Sequence, residues 1–240
     1  MLKLNTKFIL IVAAVAMASN ILPKNKDNLR GTCFYISRVD LSSSEILKKI
    51  VVDSELQVSS RICGVERIGS IYVNNTDKNE PNAAGLLKAI MDGYEMHKAP
   101  DMNKVQSESN ENSRYRSSVC GALGSFATTA VFDEAMNSAA RIIETDPDPD
   151  VAIACITMMS YAKGSREKLS VTIIQRIESI LEEKVINDDR VRLMNALVST
   201  LGKLANKDGY IALVKVLQSA YPRNVKDASE RAIHQLEMSK

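Results

Sequence analysis

Tryptophan is absent, aromatic residues make up only 5% of the 240 positions, and histidine occurs twice. A core without bulky rings has to be filled by aliphatic side chains, and apolar residues, 45% of the chain, are rich in Ala, Ile, Leu, Val and Met. That balance suits closely packed helices, and it excludes global disorder. An excess of either charge is missing too. The 31 basic and 29 acidic residues leave a net charge of +2, so no bulk charge points to nucleic acid or an anionic membrane surface. Long apolar runs are scarce. The run Phe8 to Ala18 is the exception, and its roughly eleven residues fall short of the roughly 20 needed to span a bilayer.

Lys3 and Lys7 precede that run, and Ala16-Met17-Ala18 supplies small residues for a signal peptidase. The pattern predicts a signal peptide over 1–18 and an exported chain, periplasmic or secreted, with no stable membrane insertion after cleavage. No Cys at the cleavage point calls for lipid attachment.

Residues 19–55 read as a lead-in and capping helix: a polar start, an apolar Cys33-Phe34-Tyr35-Ile36, then Ser42-Ser43-Ser44 before Glu45 as a capping box. The predicted helix covers Glu45 to Asp53, with Ile46, Ile50 and Val51 inward. Residues 56–240 read as a repeat domain. Asn187 to Leu204, NDDRVRLMNALVSTLGKL, opens on Asp188 and Asp189 as capping acids and carries Val191, Met194, Val198 and Leu201 as one apolar stripe. Val58, Ile62, Val65 and Ile68-Gly69 reproduce the pattern of Val191, Asn195, Val198 and Leu201-Gly202. Further copies follow at Arg116 to Thr128, Val151 to Lys163 and from Val225, with Cys155 lying 35 after Cys120 and Leu201-Gly202 lying 40 after Tyr161-Ala162. Companion helices are predicted from Pro81 to His97, with Ala84, Leu87, Ile90, Met91 and Tyr94 on one side, and at 131–144, 166–184 and 209–220. Residues 99–113 lack any apolar period and read as a mobile loop.

The acidic or proline turns that open first helices, as in DPDPDVAIA and NDDRVRLMNA, the small residue in mid-helix and the closing Leu-Gly make the chain resemble the HEAT-repeat, armadillo-like family. The resemblance covers about residues 56–240. It implies an all-α chain, an alpha-solenoid of about four to five helical hairpins with an N-terminal cap segment. For function it implies a scaffold that binds a protein partner and is not an enzyme. In such folds the second helices line the binding face. The candidates there are Lys88, Asp92 and Glu95; Glu134, Asn137 and Arg141; Gln175, Arg176 and Glu182; and Tyr210, Lys215 and Gln218.

Catalytic and metal signals are thin. His97 and His234 have no carboxylate or Cys at ligand spacing and read as surface histidines near helix ends. The His-Glu pairs of the iron-dependent hydroxylases that share this fold are absent, and an export signal would separate the chain from the cytosolic substrates of the similar bilin lyases. Asp146-Pro-Asp-Pro-Asp150 lacks the Gly and late acid of a calcium loop, and Gly121 and Gly124 lie within a helix, so no phosphate loop or cofactor is predicted. Asn74-Asn75-Thr76 is a glycosylation acceptor only on a eukaryotic secretory route. Cys120 and Cys155, at equivalent repeat positions, are expected to point the same way from axes roughly 8–10 Å apart and to stay unbridged. Cys33 and Cys63 form the one proposed disulfide. An alternative to the scaffold is an enzyme or ligand carrier with a pocket between the N-terminal segment and the first repeats, near Cys63 and Tyr94.

Overall fold

The computed structural model describes residues 29–73, 81–98, 106–162 and 164–238. The predicted signal, the Asn74 acceptor and residues 99–105 lie outside them. The described residues are all-helical, with no strand. Eleven α-helices follow one another: α1 Leu29–Ile36, α2 Ser44–Val52, α3 Val58–Val73, α4 Ala83–Lys98, α5 Gln106–Ser125, α6 Phe132–Thr145, α7 Pro149–Tyr161, α8 Arg166–Glu183, α9 Asp188–Leu204, α10 Tyr210–Gln218 and α11 Arg223–Met238. One-turn 3-10 segments lie at Leu41–Ser43, Phe126–Thr128 and Lys207–Gly209.

Local chemistry sets several of these boundaries. Asp148 accepts a hydrogen bond from the Asp150 amide while Pro149 occupies the first turn, so α7 starts where the acidic proline turn ends. At α9 the capping group is Asn187, whose side chain accepts from Arg190 N; Asp188 and Asp189, read as the caps, are first-turn residues suited to the helix dipole. Lys184 and Ala205 close α8 and α9 in the left-handed region, at φ 54° and 55°.

The principal packing contacts run between helices that are next or next but one in the chain. The odd-numbered helices form one succession, α1 on α3, then α5, α7, α9 and α11. The even-numbered helices flank it. Each odd-numbered helix inside the row therefore has a neighbour on either side and buries two apolar stripes: α9 buries Leu193 and Leu197 as well as Met194, Val198 and Leu201, while Val191 is only half-buried.

Three local readings need correcting. The α2 core positions are Leu47 and Val51, with Ile46 and Ile50 half-buried, and no side chain caps its start; Ser42 Oγ donates instead to Asp40. In α4 Ala83 is buried and Ala84 exposed. Residues 106–113, read as part of a loop, form the first two turns of α5. A polar stretch without apolar period holds a helix there because it continues the deeply packed half from Tyr115 onward, where tertiary contacts supply the stability.

The buried positions also correct the repeat register. Tyr115, Val119, Cys120 and Leu123 of α5 recur as Val151, Cys155, Ile156 and Met159 of α7, and as Leu193, Leu197, Val198 and Leu201 of α9. The spacings from Leu123 to Met159 and on to Leu201 are thus 36 and 42, where the sequence alignment had 35 and 40. Cys155 matches Val119 rather than Cys120. One residue is about 100° of helical turn, so the two thiols face each other across the α5–α7 contact instead of pointing the same way. They are bridged, with Cα atoms 4.8 Å apart and both side chains fully buried. The expected 8–10 Å separates helix axes, and facing Cα atoms, each about 2.3 Å off its axis, come much closer. Cys33 of α1 and Cys63 of α3 form the second bridge, with Cα atoms 5.6 Å apart, and all four cysteines are used.

Glycine makes the row close-fitting. A Cβ on Gly202 would stand 2.8 Å from both Cα and Cβ of Ala232 in α11, whereas one on Gly121 would meet nothing within 4 Å. Gly202→Ala is therefore expected to force α9 and α11 apart and cost about 1–3 kcal/mol. Gly121→Ala should gain up to about 1 kcal/mol from helix propensity. Urea denaturation of both variants checks the contrast. The bridges should also differ in reactivity, since Cys33 and Cys63 are half-buried while the other pair is sealed. Under mild reductant and an alkylating agent, peptide mapping should find Cys33 and Cys63 labelled first; equal labelling of both pairs would contradict the burial argument.

Candidate functional site

The polar sides of α4, α6, α8 and α10 carry the twelve residues predicted for the binding face, and eleven of them are exposed. Arg141 of α6 bonds Glu95 of α4 at 2.9 Å, Lys168 of α8 reaches Asn137 of α6, and Lys215 of α10 bonds Glu178 of α8 at 2.5 Å. Lys88 and Asp92 pair within α4 at 2.6 Å. These contacts lace successive even-numbered helices together. Exposed pairs of this kind contribute about 0–1 kcal/mol each, so an incoming partner can exchange them at little cost.

The face deepens between α8 and α10 into an open groove of about 400 Å³. Glu182, Lys215 and Gln218 line it, joined by Glu178, Lys184 and Leu181, which the sequence reading passed over. Both charge signs meet there beside Leu181. Lys184, the left-handed residue that ends α8, is one of the lining residues.

Arg176 departs from its prediction: it is buried, not on the surface. Leu169, Thr172, Ile173, Ile177 and Ile180 of α8 are buried around it at helical spacing, so the backbone carries its stem inward. The three-and-four spacing that marks this face was readable in the sequence. Burial lowers the Arg176 pKa from its ordinary value, and Arg190 lowers it further. Glu183 opposes them.

A second polar group lies in the core between α4, α5 and the α6–α7 turn. Asp146 accepts from Arg116 Nε at 2.9 Å and from the Tyr94 hydroxyl at 2.8 Å, and Arg116 Nη1 donates to the His97 carbonyl at 2.7 Å. The Arg116 and Asp146 side chains are 7% and 0% exposed. His97, read as a surface residue, is buried: Nδ1 pairs with Asn112 Oδ1 at 2.6 Å, and the ring lies against Tyr115. It follows Ile90, Gly93 and Tyr94 at helical spacing on the packed side of α4. Tyr115 donates to the Val51 carbonyl at 3.1 Å, and its hydroxyl occupies the space that a Cβ on Gly93 would need. His234 is exposed as predicted.

Polar groups thus do converge near Tyr94, as the alternative reading required. They close on one another, and Cys63 is tied to Cys33. Of the acidic run, Asp146 serves this ion pair and Asp148 caps α7. Among the described residues no group of three or more His, Cys, Asp or Glu is placed to hold a metal. No helix there is long and apolar enough to cross a membrane. No family model, curated protein or solved structure matches the chain.

Removing one partner of a buried ion pair strands the other, so Asp146→Ala should cost about 3–5 kcal/mol in urea unfolding. Arg141→Ala, at an exposed pair, should cost under about 1 kcal/mol. Burial raises the phenol pKa of Tyr94, Tyr115 and Tyr221 above the ordinary value of about 10. The folded state holds those protons more tightly than the unfolded state does. Stability from these groups is full below about pH 10 and should fall as the pH rises past it, as thermal melts from pH 8 to 11 would record.

Proposed function

We propose that the chain is an exported alpha-solenoid of HEAT type that acts as a scaffold for a protein partner, as one component of a cell-envelope assembly. The observation that carries this reading is the order of packing: the principal contacts join helices next or next but one in the chain, and the even-numbered helices α4, α6, α8 and α10 carry eleven of the predicted residues exposed. The α8–α10 groove, where both charge signs surround Leu181, suits a polar peptide segment. Export is supported by the cysteines. All four are bridged, and one bridge lies in the core between two helices, a use of cysteine that belongs to oxidising compartments.

The test separates face from fold. Arg141→Glu and Lys215→Glu reverse exposed charges on the face, and Lys226→Glu on α11 serves as a control away from it. Crosslinking in the native compartment should lose the same partner band with the first two variants and keep it with the control. Unchanged capture by the face variants would remove the face from the proposal.

A further inference from the structure

Arg176 of α8 is 8% exposed, and its buried Nε has no hydrogen-bond partner among the described residues. Tyr221, in the turn leading into α11, is 4% exposed, and its hydroxyl is likewise buried and unpartnered. Buried donors are ordinarily satisfied, so two in one neighbourhood call for an acceptor. The neighbourhood is shared: Glu183 and Arg190 act electrostatically on both residues. Glu183 Oε1 stands 4.0 Å from Arg176 Nη1, beyond hydrogen-bonding reach, because its other oxygen engages Arg190 Nη2. Two guanidinium groups thus face one carboxylate. Glu144, exposed at the end of α6, is the remaining acid acting on Arg176.

We infer that the buried donors of Arg176 and Tyr221 receive one carboxylate from a bound molecule. The Nε edge of a planar guanidinium offers parallel donors that match the two oxygens of a carboxylate, and the phenol hydroxyl adds a third. Glu183 is held by Arg190 and Glu144 is exposed, so neither acid hydrogen-bonds Arg176; a monoanion matches the single charge of Arg176, whereas a phosphate dianion would leave excess negative charge beside Glu183. Glu183 and Arg190 are partly exposed on flexible stems, so they can yield to an entering group. The turn after Glu183 exposes Val185 and Ile186, an apolar surface. That the carboxylate belongs to a protein, as a side chain or a chain end, rests on the scaffold reading; the chemistry of the donors does not.

Nitrogen–proton NMR of the arginine Nε–H groups tests this directly. Sodium acetate should move the Arg176 signal, identified by its loss in Arg176→Lys, while sodium chloride at equal ionic strength should not. Tyr221→Phe keeps the ring in its pocket, folds independently of the arginine variant, and should weaken acetate binding about fivefold through one lost hydrogen bond. A signal unmoved by acetate would overturn the proposal, with water as the acceptor, and so would a larger response to phosphate than to acetate. A peptide arm locates the source. Tighter binding of a peptide with a free C-terminus than of its amide supports a protein carboxylate, and acetate binding without that difference supports a small free carboxylate. Neither arm depends on Arg141 or Lys215, so failure here and failure of the scaffold reading are separable.

Discussion

The structure depends on how closely the odd-numbered helices approach one another. Small residues stand at their contacts: a Cβ on Gly69 would lie 3.4 Å from the Ala122 backbone, one on Gly124 would meet Met158, and one on Gly202 would meet Ala232. Backbone-to-backbone proximity of this kind removes apolar area from water on two sides of each helix at once. A helix with two such stripes cannot be stable alone, because either stripe would face solvent. Each helix is therefore committed to two neighbours, and the row is the unit that folds.

That commitment explains where polarity goes. The odd-numbered helices spend their surface on the row, leaving the even-numbered helices to present charge. On the outer face the charges are held by single exposed pairs such as Glu95 with Arg141. Inside, Arg116 finds partners in Asp146 and the His97 carbonyl. Arg61 and Arg176 do not: each is buried with an Nε that has no hydrogen-bond partner among the described residues.

Much of the helical architecture was legible in advance because it rests on local signals. The proline turn before α7, the acidic start of α9 and the Leu-Gly endings placed elements within a residue or two. Register was less accessible: aligning Cys120 with Cys155 looked natural by identity, yet burial matches Cys155 to Val119, and a one-residue slip turns a side chain by about 100°. His97 and Arg176 were misplaced because a polar residue was read as a surface residue although its spacing from apolar neighbours put it inside. The Arg116–Asp146 pair joins positions 30 apart through a turn, and nothing in the local pattern announces such a partner.

The buried sulfur bridge between α5 and α7 has a mechanical consequence. Two helices joined covalently with Cα atoms 4.8 Å apart resist sliding past each other. Bending of the row is left to the joints without a bridge, among them α7 against α9, which Arg192 and Asp150 tie by an exposed ion pair, and α9 against α11. The molecule then has a stiff centre and a compliant C-terminal arm, and it is that arm which carries the α8–α10 groove.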